Sequence, residues 1–174
     1  MVRVADIYKE SIVDGEGYRM ALFLQGCSHH CKGCQNPQTW DFNGGKEMQI
    51  SDIINMYNPD IMDGITLSGG DPFFQADKMQ ELFDYCKNNS ISLWAYTGFK
   101  FEEFLNYINK EKCDSRINDA MINMLKYTEV VVDGPFILEH RTLDALYRGS
   151  DNQRLINVKE SLKANKVIEY IPEQ

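Results

Sequence analysis

The sequence lacks a long apolar run, an excess of basic residues and an even set of dispersed cysteines. No apolar stretch approaches the roughly 18 residues that cross a bilayer, and the N-terminus carries acidic side chains from position 6 without a signal-peptide apolar segment. Its 18 basic and 26 acidic residues give a net charge of −8, which argues against nonspecific binding to nucleic acid or anionic membranes. Five cysteines, three of them bunched, do not form a secreted disulfide framework. We therefore expect a soluble protein of a reducing cytoplasm, with no nucleic acid or membrane partner.

The chain also lacks internal repeats, low-complexity tracts and linkers rich in proline or serine, so we expect a single domain, 1–174. Apolar runs predict strands at 19–26, 64–70, 91–98 and 128–136. Helical spacing predicts helices at 51–58, 76–89, 100–110 and 117–127. Ser51 is expected to cap the first helix. This alternation is typical of a parallel α/β sheet, and the length is too short for a closed eight-stranded barrel, so an open, partial parallel β/α barrel is predicted.

Three cysteines, Cys27, Cys31 and Cys34, follow the first predicted strand with the spacing C-x3-C-x2-C and no fourth cysteine nearby. Three thiolates on a [4Fe–4S] cluster leave one iron open to a small molecule, whereas closed structural sites usually have four protein ligands. The spacing therefore favours a redox-active cluster. A zinc site completed by His29, His30 or a distant residue is the alternative that the spacing leaves open.

Further unusual motifs end the other predicted strands: "SGGD" at 68–71, "YTG" at 96–98 and "VDGP" at 132–135. Parallel strands bring their carboxyl ends to one edge, so we expect these motifs to converge. Two glycines let a ligand approach the backbone of "SGGD" closely. Asp71, extended before Pro72, offers a carboxylate that could grip an ammonium group. An ordinary turn between strand and helix is the alternative.

Together, the cysteine loop (residues 27–34) and the "GG" plus acidic residue resemble the radical S-adenosylmethionine (SAM) superfamily. The resemblance implies that the three cysteines hold a [4Fe–4S] cluster whose open iron chelates the amino and carboxylate groups of SAM. It implies no catalytic residue beyond the cluster and SAM. The turn that meets the SAM amino group would consist of Ser68, Gly69, Gly70 and Asp71.

One position departs from the superfamily pattern. Most members have an aromatic residue just before the third cysteine, near the adenine, whereas this chain has Gly33. We therefore expect Gly33, Cys34 and Gln35 to shape the adenine wall mainly by their backbone.

That departure, with Asn-Pro after "CxGC", is similar to the activating proteins of anaerobic ribonucleotide reductase. The same likeness extends to "VDGEGYR", "SGGDP", "YTG", "VDGPF" and "RGSDNQR", which span nearly the whole chain. It implies that reduced cluster and SAM yield a 5′-deoxyadenosyl radical, which removes hydrogen from a backbone glycine of the large reductase subunit. It also implies a flavodoxin or ferredoxin-type electron donor.

Three other functions stay open at this point. They are a radical SAM enzyme with a small substrate, an activase of another glycyl-radical enzyme such as pyruvate formate-lyase, and a zinc-stapled binding module without catalysis. Metal content separates the last, because it would hold one zinc instead of about four irons with sulfide.

Several residues allow two interpretations from sequence. The loop with Asp14, Glu16 and Arg19 is either a solvated turn before the first strand or, by resemblance, a segment near the cluster. Trp94 and Tyr96 share one side of a strand and form either core or a SAM wall. The "GSDNQR" loop, 149–154, either binds the partner or closes the barrel. Cys86 is expected in the core, and Cys113 as a spectator thiol.

Overall fold

The chain folds around one open mixed sheet of seven strands, ordered β3-β1-β2-β4-β5-β6-β7, in a computed structural model that describes residues 1–172. The strands are β1 (Val2–Ser11), β2 (Arg19–Leu24), β3 (Lys46–Met48), β4 (Gly64–Gly69), β5 (Ser92–Tyr96), β6 (Val130–Asp133) and β7 (Arg154–Asn157). Within residues 1–172 the two edge strands, β3 and β7, do not pair with each other. The predicted open α/β fold is confirmed.

The four predicted strands are the parallel centre of the sheet, β2-β4-β5-β6. Nearly every residue of β2 and β6 is buried, as is typical of parallel strands covered on both faces. The prediction of a wholly parallel sheet is wrong at the edges, because the pairs β1–β2, β1–β3 and β6–β7 are antiparallel. Of these three outer strands, β1 and β3 carry several charged residues, and β3 and β7 are only three and four residues long, so their apolar pattern is weak.

Five α-helices accompany the strands: α1 (Ile50–Ile54), α2 (Gln80–Asn88), α3 (Phe101–Ile108), α4 (Asp119–Leu125) and α5 (Val158–Ala164). The first four match predicted helices, and α5 was not predicted. The expected cap at Ser51 is wrong, since α1 begins at Ile50 and its N-cap residue is Gln49. Short 3-10 helices occupy Pro37–Thr39, Pro72–Lys78 and Leu138–His140. No helix within residues 1–172 is both long and apolar enough to cross a bilayer.

The helices cover one face of the sheet, where the main core lies. Alternate residues of the strands, such as Leu22, Leu67 and Val131, pack there with Phe83 and Phe104 of the helices. Cys86 belongs to this core, as predicted, and burial raises the pKa of its thiol to about 12.

The other face of the sheet is lined by a smaller cluster around Trp94. Trp94 is 1% exposed and packs edge-on against Tyr147 and Tyr170, with their ring centroids each 5.5 Å away. Tyr96 points to the same side and donates its hydroxyl proton to the carbonyl oxygen of Tyr147 at 2.7 Å. Trp94 therefore serves as core, while Thr97 turns to the opposite side, as expected from the alternation of strand residues.

Arg19 starts β2 on this second face, so the interpretation of a solvated turn is wrong for it. The residue is 1% exposed, and its guanidinium donates to Thr66 Oγ1 at 2.7 Å and to the carbonyl oxygens of Ile65 and Ser92, each at 2.9 Å. Burial lowers its pKa to about 10. The carbonyl of Asp14 accepts from Thr66 Oγ1 at 2.7 Å, which draws the preceding loop onto the sheet.

Candidate iron–sulfur site

The cysteine loop leaves the carboxyl end of β2 and is fixed at both ends by backbone hydrogen bonds. The amide of Cys27 donates to the carbonyl of Trp40 at 3.1 Å, and that of Cys34 to the carbonyl of Cys31 at 3.0 Å. All three thiols are unpaired. Burial raises the pKa of Cys27 to about 11 and raises that of Cys31, so both thiols are protonated at neutral pH without metal. Metal binding must therefore displace protons.

The three cysteines lie on one loop as free thiols. Residues 1–172 contain no group of three or more cysteine, histidine or carboxylate side chains close enough to hold one metal ion. A cubane cluster binds each thiolate at a different iron, so its ligands need not converge on a point. Three free thiols on one loop are compatible with that donor set.

The "SGGD" turn at the end of β4 is bonded directly to the start of the cysteine loop. The amide of Gly70 donates to the carbonyl of Leu24 at 2.7 Å, and that of Asp71 to the carbonyl of Gly26 at 2.9 Å. A Cβ at Gly70 would overlap the carbonyl oxygen of Gly26. Gly69 has φ +99°, a left-handed conformation that favours glycine. Both glycines are therefore required for the close approach of the two segments.

The carboxylate of Asp71 is the hub that joins three turns. It is 1% exposed, and its Oδ1 accepts from the amide of Phe73 at 3.0 Å. Its Oδ2 accepts from His29 Nε2 at 2.9 Å, Thr97 Oγ1 at 2.8 Å and the amide of Gly98 at 3.0 Å. Because His29 lies in the cysteine loop and Thr97 after β5, Asp71 binds both to the "SGGD" turn. This contact of His29 with Asp71 had no local signal in the sequence.

The remaining strand-end motifs close around the same loop, so the predicted convergence is confirmed. A Cβ at Gly98 would lie 2.6 Å from the imidazole ring of His29. The amide of Gly134 donates to the carbonyl of Phe99 at 2.9 Å. Against the larger effect of burial, the backbone of Phe136 acts to lower the pKa of Cys31. The turns after β2, β4, β5 and β6 thus form one site.

Gly33 and Gln35 contact the segment between β6 and β7. Gly33 has φ +75°, and a Cβ there would lie 2.8 Å from Leu138 Cδ1. Leu138 thus occupies space that a larger side chain at position 33 would need. A Cβ at Gly149 would lie 3.2 Å from Gln35 Nε2, which brings the "GSDNQR" loop against the third cysteine's neighbour.

The polar residues of the "GSDNQR" loop hold this segment to the sheet. Gln153 accepts from the amides of Gly149 and Ser150 at 3.0 and 3.2 Å and donates to the carbonyl of Gly134 at 3.1 Å. Asn152 donates to the carbonyl of Pro135 at 2.9 Å. These contacts favour the interpretation that the loop closes the structure.

Arg154 completes this attachment by an ion-pair network. Its guanidinium donates to both oxygens of Asp133, at 3.0 and 2.5 Å, and to both oxygens of Glu102, at 2.8 and 2.7 Å. These bonds raise the pKa of Arg154 and lower that of Glu102. Asp133, 1% exposed, also accepts from the amide of Phe101 at 2.7 Å and so fixes the start of α3. Asp133 therefore joins the start of α3 to the start of β7.

Comparison with known proteins agrees with this geometry. The model of a family described as "4Fe-4S single cluster domain" matches residues 13–156. The anaerobic ribonucleoside-triphosphate reductase-activating protein of Enterobacteria phage T4 is 32% identical, over 86% of this chain and 90% of the relative. Proteins of the same name from Haemophilus influenzae and Escherichia coli K12 are 33% and 34% identical, each over 84% of this chain and 92% of the relative.

Among solved structures, QueE from Escherichia coli is similar, with a TM-score of 0.46 and 14% identity over 76% of this chain and 70% of that one. The sequence relatives, at above 30% identity over most of both chains, decide the assignment. This chain belongs to the family of anaerobic ribonucleoside-triphosphate reductase-activating proteins.

Proposed function

We propose that this protein activates anaerobic ribonucleotide reductase by generating a glycyl radical on its large subunit. The observation that supports it is the direct hydrogen bonding of the "SGGD" turn to the cysteine loop: the amide of Asp71 donates to Gly26, and the carboxylate of Asp71 accepts from His29. When bound, the [4Fe–4S] cluster supplies one electron that cleaves SAM into methionine and a 5′-deoxyadenosyl radical, which takes hydrogen from the reductase glycine.

The residues of the chain hold and orient these groups. Cys27, Cys31 and Cys34 would hold the cluster as thiolates and would leave one iron open to SAM. The glycines of the "SGGD" turn would present their backbone to the SAM amino group. Because the carboxylate of Asp71 already accepts four hydrogen bonds, its part in SAM binding is to hold that turn in place.

The adenine wall is assigned to Gly33, Cys34 and Gln35. Gly33 has no side chain, and Leu138, in the segment after β6, covers that position. An apolar side chain beside exposed backbone suits an aromatic base, since it offers contact area next to polar backbone groups.

Two partners are proposed: the large subunit of the reductase, since the relatives are named as activating proteins of that reductase, and a flavodoxin or ferredoxin-type electron donor. We place the protein in the cytoplasm, because five unpaired cysteines suit a reducing compartment. We treat 1–174 as one domain, because a single sheet takes strands from Val2 to Asn157.

Cluster loading tests the assignment of the ligands. Anaerobic reconstitution with iron and sulfide should give about four irons per chain in the wild type, and SAM should change the EPR spectrum of the dithionite-reduced cluster. Each of the variants Cys27→Ser, Cys31→Ser and Cys34→Ser should lower the iron content and abolish SAM cleavage. Cys113→Ser is the matched control and should keep both. A wild type with one zinc, or full loading in all variants, would contradict the proposal.

A further inference from the structure

The connection between α3 and α4 reaches back to the cysteine loop through one side chain. Arg116 Nη1 donates to Ser28 Oγ at 2.9 Å across 88 positions of sequence. Ser28 directly follows Cys27, the most buried of the three candidate ligands. The guanidinium therefore contacts the residue that is next in sequence to a proposed cluster ligand.

The guanidinium is held rigidly in this position. Its Nε and Nη2 donate to the two carboxylate oxygens of Asp114 at 2.9 and 2.5 Å, and its planar group lies 4.8 Å from the ring centroid of Phe99 and 6.0 Å from that of Phe74. The amide of Asp114 donates to Glu103 Oε2 at 2.7 Å, which anchors the connection to α3. A paired and stacked fork loses little freedom when it binds, so it can fix the Ser28 hydroxyl.

Arg116 places a positive charge beside the cysteine loop. The hydrogen bonds that it donates to Asp114 are the main cause that raises its pKa. Its bond to Ser28 brings this charge to the residue that follows Cys27. Reduction by one electron adds negative charge to an iron–sulfur cluster, and nearby charges and hydrogen bonds are among the determinants of its potential.

We propose that Arg116 is a positioning residue of the cluster site, whose fork fixes the Cys27 end of the cysteine loop and whose charge, balanced by Asp114, sets the potential at which the cluster accepts its electron. The inference rests on the proposed cluster. It concerns residues outside the cysteine and "SGGD" motifs.

An EPR-monitored redox titration of the reconstituted chain with dithionite tests it without SAM or reductase. At the midpoint potential of the wild type, Arg116→Gln should lower the ratio of reduced to oxidised cluster about tenfold, which is about 59 mV for a one-electron couple. Coulomb's law with an effective dielectric of about 20 gives an effect of this order for unit charges about 10 Å apart. Asp114→Asn should shift the ratio in the opposite direction, because it leaves the cation unbalanced.

Two further variants separate charge from structure. Arg116→Lys keeps the charge and should stay within about threefold of the wild-type ratio, while Lys163→Gln, exposed on α5, should leave the ratio unchanged. Opposite shifts from Arg116→Gln and Asp114→Asn support the role, since a purely structural defect has no reason to reverse sign. Shifts under twofold, or in one direction, would overturn it. Should Arg116→Gln not fold, the lysine and Asp114 variants decide. A wild type that binds no cluster would instead refute the proposed function.

Discussion

Replacing Asp71 by Asn keeps the shape of the side chain but removes its charge and one acceptor oxygen. In the protein, two carboxylate oxygens accept four hydrogen bonds, one on Oδ1 and three on Oδ2. If the nitrogen of the new side-chain amide takes the place of Oδ2, the three groups that donate to Oδ2 face another donor. With the opposite orientation, only the amide of Phe73 loses its acceptor, so the variant should adopt this second arrangement.

The expected cost follows from that arrangement. A buried donor without an acceptor costs about 1–3 kcal/mol. The three bonds on the other side change from charge-assisted to neutral, and neutral bonds are about half as strong, which removes about 2 kcal/mol in total. We expect Asp71→Asn to lower the free energy of unfolding by about 3–5 kcal/mol, a large share of the 5–15 kcal/mol that is typical of folded domains.

Anaerobic urea unfolding of the metal-free chain, followed by circular dichroism, measures this change. The matched control is Asp77→Asn, an exposed residue of the 3-10 helix at Pro72–Lys78, which should change stability by less than about 0.5 kcal/mol. A decrease in the free energy of unfolding below about 1 kcal/mol for Asp71→Asn would contradict this role of the carboxylate. The carboxylate would then not be the hub of the three turns and would be free for a direct contact with SAM.

Further variants test the glycine turn and the ion-pair network by the same unfolding measurement. Gly134→Ala, with φ +93° and Asn152 Nδ2 at 3.9 Å from the new Cβ, should cost about 1–2 kcal/mol of strain. Gly69→Ala adds an overlap at 2.5 Å with the β2 backbone and should cost at least about 2 kcal/mol more; equal losses would contradict the close approach. Arg154→Gln should cost about 3 kcal/mol because it strands the buried Asp133, whereas Glu102→Gln should cost under about 1 kcal/mol. The pKa of Glu102 is lowered, so its charge stabilises the folded chain fully above the ordinary pKa of 4.5 and loses this effect as the pH falls through the folded pKa. An effect of Glu102→Gln on the free energy of unfolding that grows in acid would refute this.

The central strands and the convergence of their terminal motifs could be predicted because both depend on local pattern. A buried apolar run such as Arg19–Leu24 predicts a strand by itself, and the strand direction then places its carboxyl end. The cysteines and "SGGD" lie at such ends, so their proximity follows from topology alone.

The outer strands β1, β3 and β7 were not predicted, because their pairing depends on residues far apart in the sequence. In β1, only Val2, Val4 and Ser11 are buried, and charged residues interrupt the alternation. Its register also shifts between Val4 and Asp6, which breaks the period of two that sequence analysis relies on. β7 has four residues and is defined by its antiparallel partner β6.

Within the site, the residues that were missed act across large sequence separations. Arg116 reaches Ser28 and Asp71 reaches Thr97 through side-chain bonds. Apart from Asp114, two residues away, the partners of Arg116 come from three other segments of the chain, so its local sequence does not reveal them. Such contacts become visible only once the fold brings the segments together.

The proposed activity of this chain is the formation of a glycyl radical on the reductase. The direct test is to mix the cluster-loaded chain, SAM and dithionite with the large reductase subunit under anaerobic conditions and to record the EPR spectrum. We predict a glycyl doublet on the large subunit together with deoxyadenosine and methionine, and no doublet when Cys27→Ser replaces the wild type. A loaded cluster that leaves SAM intact, or cleaves SAM without any glycyl signal on the subunit, would contradict the claim.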